Sequence, residues 1–392
     1  MSKKMIQIEN IKIKNFNKAK PQKNLKSLLN KLIEEDNHII KSLKNTYKDS
    51  WDLKKIQKYK KLSNITLIGM GGSIMGSKSI YSFLKNRIKK NFFFLDNFEN
   101  NKIRNIKKKN KLNLIISKSG NTLETIVNSN VIINKKVKNI FITENKPNYL
   151  RSVASKLKSD VIDHNNFIGG RYSVLSEVGM LPAMLMGLKI DKFRKFNDLI
   201  KNKFFLNSII NSVSNTLSLI KKNKSNSIIL NYDENSLDLF YWYQQLVAES
   251  LGKKGKGILP IVSKMPQDNH SLMQFYLDGK KNNFYTFFFT KEIFSQKIKS
   301  EGLLRSRNYL KNKNLQNVLY DQFLATQKVF KKKNIPFRSF IIEKREESTL
   351  GTLFTYFILE TILLGQALKI NPYDQPSVEL IKKETKKRLI KN

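Results

Sequence analysis

The chain has 392 residues, 40% of them hydrophobic, enough for two domains with a sizeable buried core. It contains no cysteine, which excludes disulfides and thiolate metal sites and fits a reducing compartment. Its formal net charge of +42 comes from lysines spread over the whole length, with no separate basic tail and no arginine–aromatic interleaving. That pattern predicts a solvated basic surface rather than a specific nucleic-acid site.

Residues 1–50 are polar and basic, with a helical pattern near Leu25–Leu43. Met1-Ser2-Lys3-Lys4 leads into no apolar core segment, so no secretory signal is expected and a cytoplasmic location is. Strand and helix signals then alternate. Asn64–Met70 reads as a buried strand and Ser73–Leu84 as a helix; Asn91–Leu95 and Leu112–Ser117 read as strands. A helix is expected from Asn121 to Asn134, a strand at Asn139–Thr143, a helix at Pro147–Leu157 and a short strand at Val161–Asp163. Helical, lysine-rich sequence fills Ser173–Lys224, with Gly179, Pro182 and Gly187 as expected interruptions. The alternation restarts with strands at Ser227–Asn231, Ile258–Val262, Asn283–Phe289 and Phe337–Ile342. Helices are expected at Ser236–Leu251, Leu315–Lys331 and Ser348–Leu368, and a polar helix from Ser377. The apolar run from Thr352 to Leu368 contains Glu360 and Gln366, so it reads as a buried helix rather than a membrane span. Repeated β-α-β alternation predicts an α/β protein of two halves, each a parallel sheet flanked by helices. The expected divisions are an N-terminal helical segment (1–50), a first domain (51–200), a second domain (201–370) and a C-terminal helical arm (371–392).

The most informative segment is Ile115-Ile116-Ser117-Lys118-Ser119-Gly120-Asn121-Thr122-Leu123-Glu124-Thr125. An apolar strand ends in hydroxyl residues around a glycine, and a helix follows. Converging hydroxyls and the free N–H groups of a helix start can hold a phosphate without a metal. Plain loop chemistry gives serine-rich turns as well. Gly69-Met70-Gly71-Gly72-Ser73 is a second strand-to-helix turn, either a ligand loop or a tight turn, with Ser73 as a candidate cap. It lacks the spacing of a dinucleotide fingerprint.

Gly169-Gly170-Arg171-Tyr172-Ser173 puts an arginine after two glycines, with Ser173 as a candidate cap. Arg171 could oppose a developing oxyanion or sit in a surface ion pair. In Gln244-Gln245-Leu246-Val247-Ala248-Glu249-Ser250, Glu249 lies in the last helical turn, where the dipole disfavours a carboxylate. A general base is one reason to keep it there, and an ordinary exposed glutamate is the alternative. The chain has three histidines, His38, His164 and His270. Of these, only His270 sits in a polar turn opening a helix, within Pro266-Gln267-Asp268-Asn269-His270-Ser271. Its ring suits proton transfer near neutrality, with Asp268 or another acid to orient it; a capping turn with an incidental histidine is the alternative. Last comes Asn371-Pro372-Tyr373-Asp374-Gln375-Pro376-Ser377-Val378-Glu379-Leu380-Ile381-Lys382, where nothing local separates Lys382 from Lys383.

Taken in order, these segments resemble the glucose-6-phosphate isomerase (phosphoglucose isomerase) family, from about Asn64 to Lys382. The similar segments are the GGS turn, the SKxGxTxET loop, GGRYSxxSxxG, QQLxxES-GK, the His-Ser turn followed by Gln274, and NPYDQPSVELIK. The resemblance implies two sugar-isomerase domains, each a five-stranded parallel sheet flanked by helices. It implies reversible conversion of glucose 6-phosphate to fructose 6-phosphate with no metal and no cofactor. Phosphate contacts would fall to Ser117, Ser119 and Thr122, with Gly72 and Ser73 beside the sugar. Glu249 would be the base, Arg171 would face the intermediate, Gln375 would touch the substrate, and His270 with Lys382 would open the ring. The resemblance also implies a homodimer in which His270 comes from the neighbouring subunit, and no membrane partner. Asn121 stands where a threonine is usual and Ser77 where proline is common, and the loops look trimmed. A dual phosphoglucose/phosphomannose isomerase, or a non-catalytic sugar-phosphate-binding module, would share much of this pattern.

Overall fold

The structure, a computed structural model, describes residues 6–16, 23–98, 111–299 and 305–391. The N-terminal residues read for a secretory signal lie outside it. Two sheets organise the chain. The first contains β3 (Asn64–Ile68), β4 (Asn91–Leu95), β5 (Lys111–Ile116), β6 (Lys138–Glu144) and β7 (Asp160–His164). All five are parallel, in the order β4-β3-β5-β6-β7. The second contains β1 (Ile6–Ile8), β2 (Ile11–Lys14), β8 (Asn226–Asn231), β9 (Leu259–Lys264), β10 (Asn283–Thr290) and β11 (Phe337–Ile342), in the order β1-β2-β11-β10-β8-β9.

The α/β class is as the alternation predicts. The second sheet differs from the expected five parallel strands: it has four, extended to six by an antiparallel hairpin from the N-terminal segment. The hairpin carries an alternation of isoleucine with polar residues. Ile8, Ile11 and Ile13 face inward and are buried. The intervening lysines stay partly exposed, so the segment reads as merely polar and basic.

Central strands are buried on both faces, which makes them near-continuous apolar runs. Every residue of β3 and of β10 is buried. Each fully buried large side chain, such as Phe287, Phe288 or Ile65, contributes roughly 1.5–3 kcal/mol. The Glu347–Ala367 helix has the length and composition of a membrane span but is buried inside the protein, as its Glu360 suggests. That carboxylate is paired with Arg338, which also donates to Ser212 Oγ and Thr286 Oγ1.

Neither Gly179 nor Pro182 interrupts the chain as expected; both sit inside the Glu177–Leu185 helix. A proline there cannot donate to the carbonyl four residues back. Ser77 Oγ donates to that carbonyl instead, Val178 O, at 3.2 Å. The Glu177–Leu185 helix packs on the Gly72–Phe83 helix, which in turn packs on the Leu237–Leu251 helix of the second half. The two halves therefore meet along helices that begin or end at the segments singled out in the sequence.

Candidate active site between the two halves

In the first sheet the strand order reverses about β3, with β4 on one side and β5 on the other. Ligands of open α/β sheets lie at such a switch point, outside the carboxyl ends of the strands. Parallel register places Ile68 beside Ile115, so the turns after β3 and β5 are neighbours. The turn after β5 carries the hydroxyl cluster. Ser117 Oγ and Thr122 Oγ1 are 2.9 Å apart, and Ser119 Oγ accepts from the Asn121 N–H at 3.2 Å. Gly120 has φ +65, and a Cβ there would lie 1.9 Å from Asn148 Oδ1. Thr122 caps the Leu123–Ile132 helix by position without a side-chain bond to its N–H groups. Those groups face the loop, a built place for an anion. Asn121 has a structural use of its own: its Oδ1 accepts from Tyr149 N at the start of the Tyr149–Lys156 helix.

The turn after β3 is drawn in tightly. Gly71, at φ +54, leaves room for Gln245, since a Cβ would come 2.8 Å from Gln245 Nε2. A Cβ on Gly72 would come 2.0 Å from the carbonyl carbon of Gly170. Two glycine pairs from distant segments thus touch backbone to backbone, which sets Arg171 beside the Gly72–Phe83 helix start. Two capping expectations do not hold. Gly71, not Ser73, occupies the cap of that helix, and Ser73 lies within its first turn. Ser173 Oγ donates to Gly170 O at 2.7 Å, while Ser176 occupies the cap of the next helix.

Arg171 is 2% exposed and every one of its donors is engaged. Nε donates to Ser250 Oγ at 2.9 Å and Nη1 to Glu249 Oε2 at 3.2 Å. Nη1 also donates to Gln375 Oε1, and Nη2 to the carbonyls of Pro372 and Asp374 at 2.8 and 3.0 Å. Of the two readings open from sequence, a surface ion pair is thereby removed. Tyr172 OH joins Ser250 Oγ at 2.8 Å and donates to Pro372 O at 2.9 Å. Burial raises the Tyr172 phenol above its ordinary range, so it remains a donor. Lys253 Nζ holds Asp374 Oδ1 and Asn371 O, each at 2.6 Å. That ammonium keeps the Asp374 carboxyl below its usual range.

Glu249 is therefore no idle surface group. One oxygen faces Arg171 and the other accepts from Gln245 Nε2 at 2.8 Å. Gln245 and Glu249 are one helical turn apart and share a face. That spacing was the available signal for Gln245. Ser250 had no signal, because its partners are 78 and more residues away in the chain.

The structure brings Arg171, Glu249 and Gln375 into contact and sets Gly72 and Ser73 beside them, next to the loop of Ser117, Ser119 and Thr122. His270 and Lys382 are both exposed, His270 after β9 and Lys382 on the Glu379–Lys391 helix. Asp268 does not orient the His270 ring: it accepts from Ser263 Oγ, Lys264 N and Ser271 Oγ at 2.7–2.8 Å.

His164 is buried, with Nδ1 2.9 Å from Asn165 O, so Nδ1 carries the proton. Burial lowers its pKa from 6.5 to about 4, partly opposed by that hydrogen bond. A neutral ring at this depth is no proton carrier near pH 7, which removes His164 from the three histidines and leaves His270, in its exposed turn, beside His38. Between pH 6.5 and 4 the unfolded chain binds a proton that folded His164 refuses. Stability therefore falls as pH falls through that window, by up to about 1.4 kcal/mol per unit from this group, and is unaffected by it above pH 6.5. The acid-side loss in chemical denaturation should be shallower for His164→Gln; parallel pH curves would contradict the assignment.

Residues 29–259 match the family described as phosphoglucose isomerase. The chain is 31% identical to the glucose-6-phosphate isomerase of Methanocaldococcus jannaschii, with 96% of each chain covered. Among solved structures it resembles a hypothetical protein from Thermus thermophilus, with a TM-score of 0.82 at 23% identity over 93% of this chain and 94% of that one. It also resembles a glucose-6-phosphate isomerase from Chlamydia trachomatis, with a TM-score of 0.72 at 17% identity over 98% and 89%. These two likenesses bear on the fold, whereas the sequence match runs through the junction where Arg171 meets Glu249. Site, fold and sequence lead to one assignment: the chain belongs to the phosphoglucose isomerase family.

Proposed function

We propose that this chain interconverts glucose 6-phosphate and fructose 6-phosphate by proton transfer through a cis-enediolate. The observation that carries the reading is the carboxylate of Glu249, held between Arg171 at 3.2 Å and Gln245 at 2.8 Å in the family's motif order. Ser117, Ser119, Thr122 and the N–H groups of the following helix hold the phosphate, which fixes the sugar carbons against Glu249 and supplies positional entropy. Glu249 takes the proton from C2 and returns it to C1. Aldose and ketose differ only in where hydrogen sits, so no electron leaves the sugar. Arg171 has no free N–H to offer, so its fixed positive charge acts on the enediolate through space, or through exchange with Gln375. Turnover of fructose 6-phosphate in heavy water should carry deuterium into the sugar. Many turnovers with none incorporated would overturn the mechanism.

Ring opening falls to His270 and Lys382, with His270 supplied by a second subunit. Supporting this, Leu272 and Phe275, within about one turn of His270, are 39% and 51% exposed, an apolar patch suited to a partner. The cysteine-free composition agrees with a cytoplasmic home for such a dimer. Two inactive variants, Glu249→Gln and His270→Ala, should complement each other when mixed and refolded together. About a quarter of wild-type activity should return, because half the dimers are mixed and each of those carries one intact site of two. A mixture no more active than its components would place both residues in one subunit's site.

A further inference from the structure

The second sheet carries a cavity that the isomerase reading does not use. It lies at the amino ends of β8, β10 and β11, has a volume of about 200 Å³, and is ringed by Lys224, Lys280, Lys281 and Lys333. Tyr285 and Tyr276 line it, and they belong to the aromatic cluster on one face of β10. The helix bearing Glu249 packs on the other face, with Phe284 and Phe288. No residue of the cavity is shared with the candidate active site.

Lysines at this edge have an ordinary use, since helix carboxyl ends collect there. The Lys203–Lys221, Met273–Asp278 and Leu315–Lys332 helices all end beside the cavity. Each end carries at most about −0.5 charge, so three of them leave roughly +2.5 of four ammonium charges uncompensated. Among the described residues no ion pair joins any of the four to a carboxylate, and Asp278, the nearest acid in sequence, forms none with them. Two ammoniums are held in place by backbone: Lys224 Nζ donates to Lys281 O, and Lys281 Nζ to Leu277 O at 2.8 Å. Burial, and then the charges of Lys281 and Lys222, lowers the pKa of Lys224 below its ordinary range. Two held ammoniums, of Lys224 and Lys281, and the exposed ones of Lys280 and Lys333 thus surround a recess lined by no carboxylate, a setting suited to an anion. Tyr276, Ile335 and Pro336 supply an apolar wall for a short carbon skeleton.

The geometry points to a second phosphate site: this cavity binds a small phosphate ester carrying two negative charges, separately from the sugar phosphate at the active site. The probe is inorganic pyrophosphate, titrated calorimetrically into the full chain. Salt is kept at about 0.15 M, where a Debye length of about 8 Å screens the diffuse field of the surface. Two equivalents per chain are expected. Lys224→Ala/Lys333→Ala should lose one of them, weakening that site at least about tenfold, with kcat and KM for glucose 6-phosphate unchanged. Ser119→Ala/Thr122→Ala should lose the other. A charge-matched control on exposed lysines, Lys48→Ala/Lys61→Ala, should keep both. A single equivalent abolished by Ser119→Ala/Thr122→Ala would overturn the proposal. So would equal weakening in the control, which would assign the binding to overall charge. The readout is binding, so it stands or falls apart from the isomerase activity.

Discussion

Replacing Glu249 by glutamine lowers turnover by about 10⁴-fold, the upper range for one general base, while glucose 6-phosphate still binds. The substitution keeps shape and hydrogen-bonding length. It removes the basic carboxylate oxygen that would accept the C2 proton, and among the described residues no other carboxylate pairs with Arg171. The fold should tolerate the change. The Glu249 side chain is 28% exposed, and Arg171 retains its bonds to Ser250, Gln375, Pro372 and Asp374. One local mismatch is expected. Wild-type Glu249 accepts from both Arg171 and Gln245, whereas an amide can present an oxygen to one of these donors and its own NH₂ to the other. Substrate affinity should therefore shift modestly while kcat collapses. The measurement is a coupled assay in both directions, with calorimetric binding of glucose 6-phosphate and deuterium wash-in as companions. A variant within about tenfold of wild-type kcat would remove Glu249 from the base's role, because that loss is below what general-base catalysis contributes.

Elements buried on both faces were legible in the sequence, and those defined by long-range pairing were not. Strands β3, β5, β8 and β10 announce themselves as apolar runs, because helices cover each sheet and leave no polar face. The β1–β2 hairpin hides behind its lysines. Its isoleucines alternate correctly, but their partner strand β11 lies more than 300 residues away, and only pairing with it makes the alternation meaningful. Pro182 departs from its local expectation for a related reason. A proline breaks a helix when the freed carbonyl stays unsatisfied, and here a hydroxyl from another helix satisfies it. The serines of the two glycine turns fail as caps because Ser73 lies one residue inside its helix, after Gly71 and Gly72, while Ser173 lies three residues before the cap at Ser176 and bonds back to Gly170 O.

The site divides in the same way. The loop of Ser117, Ser119 and Thr122 could be read locally as a hydroxyl cluster at a strand end, since its hydroxyls and Gly120 lie within six residues. The Arg171 hub could not, because its partners fall at Glu249, Ser250, Pro372, Asp374 and Gln375. Only the ordered motifs of a family suggested that these segments meet. For His270 and Lys382 the motif order is still the support, because both side chains are exposed in this chain.

Replacing Arg171 by lysine should damage both stability and catalysis despite the conserved charge. The guanidinium serves acceptors in a fork: a serine hydroxyl, a carboxylate, a side-chain amide and two carbonyls. An ammonium has three donors at a single point and cannot reach both sides of that ring. The buried Ser250 Oγ would lose its guanidinium donor, at about 1–3 kcal/mol, and the more exposed Glu249 and Gln375 would lose theirs. Pro372 O keeps Tyr172 OH and Asp374 O keeps Lys253 Nζ, so both carbonyls of the turn stay paired. The 371–376 turn then loses its guanidinium clamp and keeps Lys253, Tyr172 and the Tyr373 OH bonds to Glu35 and Asn37. Loosening it moves the charge that should face the enediolate, and loss of one such stabilising group costs about 10²–10³ in kcat. Chemical denaturation should show the stability loss, and steady-state kinetics should show kcat falling more than KM rises. If kcat survives while stability drops, Arg171 is a structural clamp, and the charge opposing the intermediate must come from another residue of the pocket.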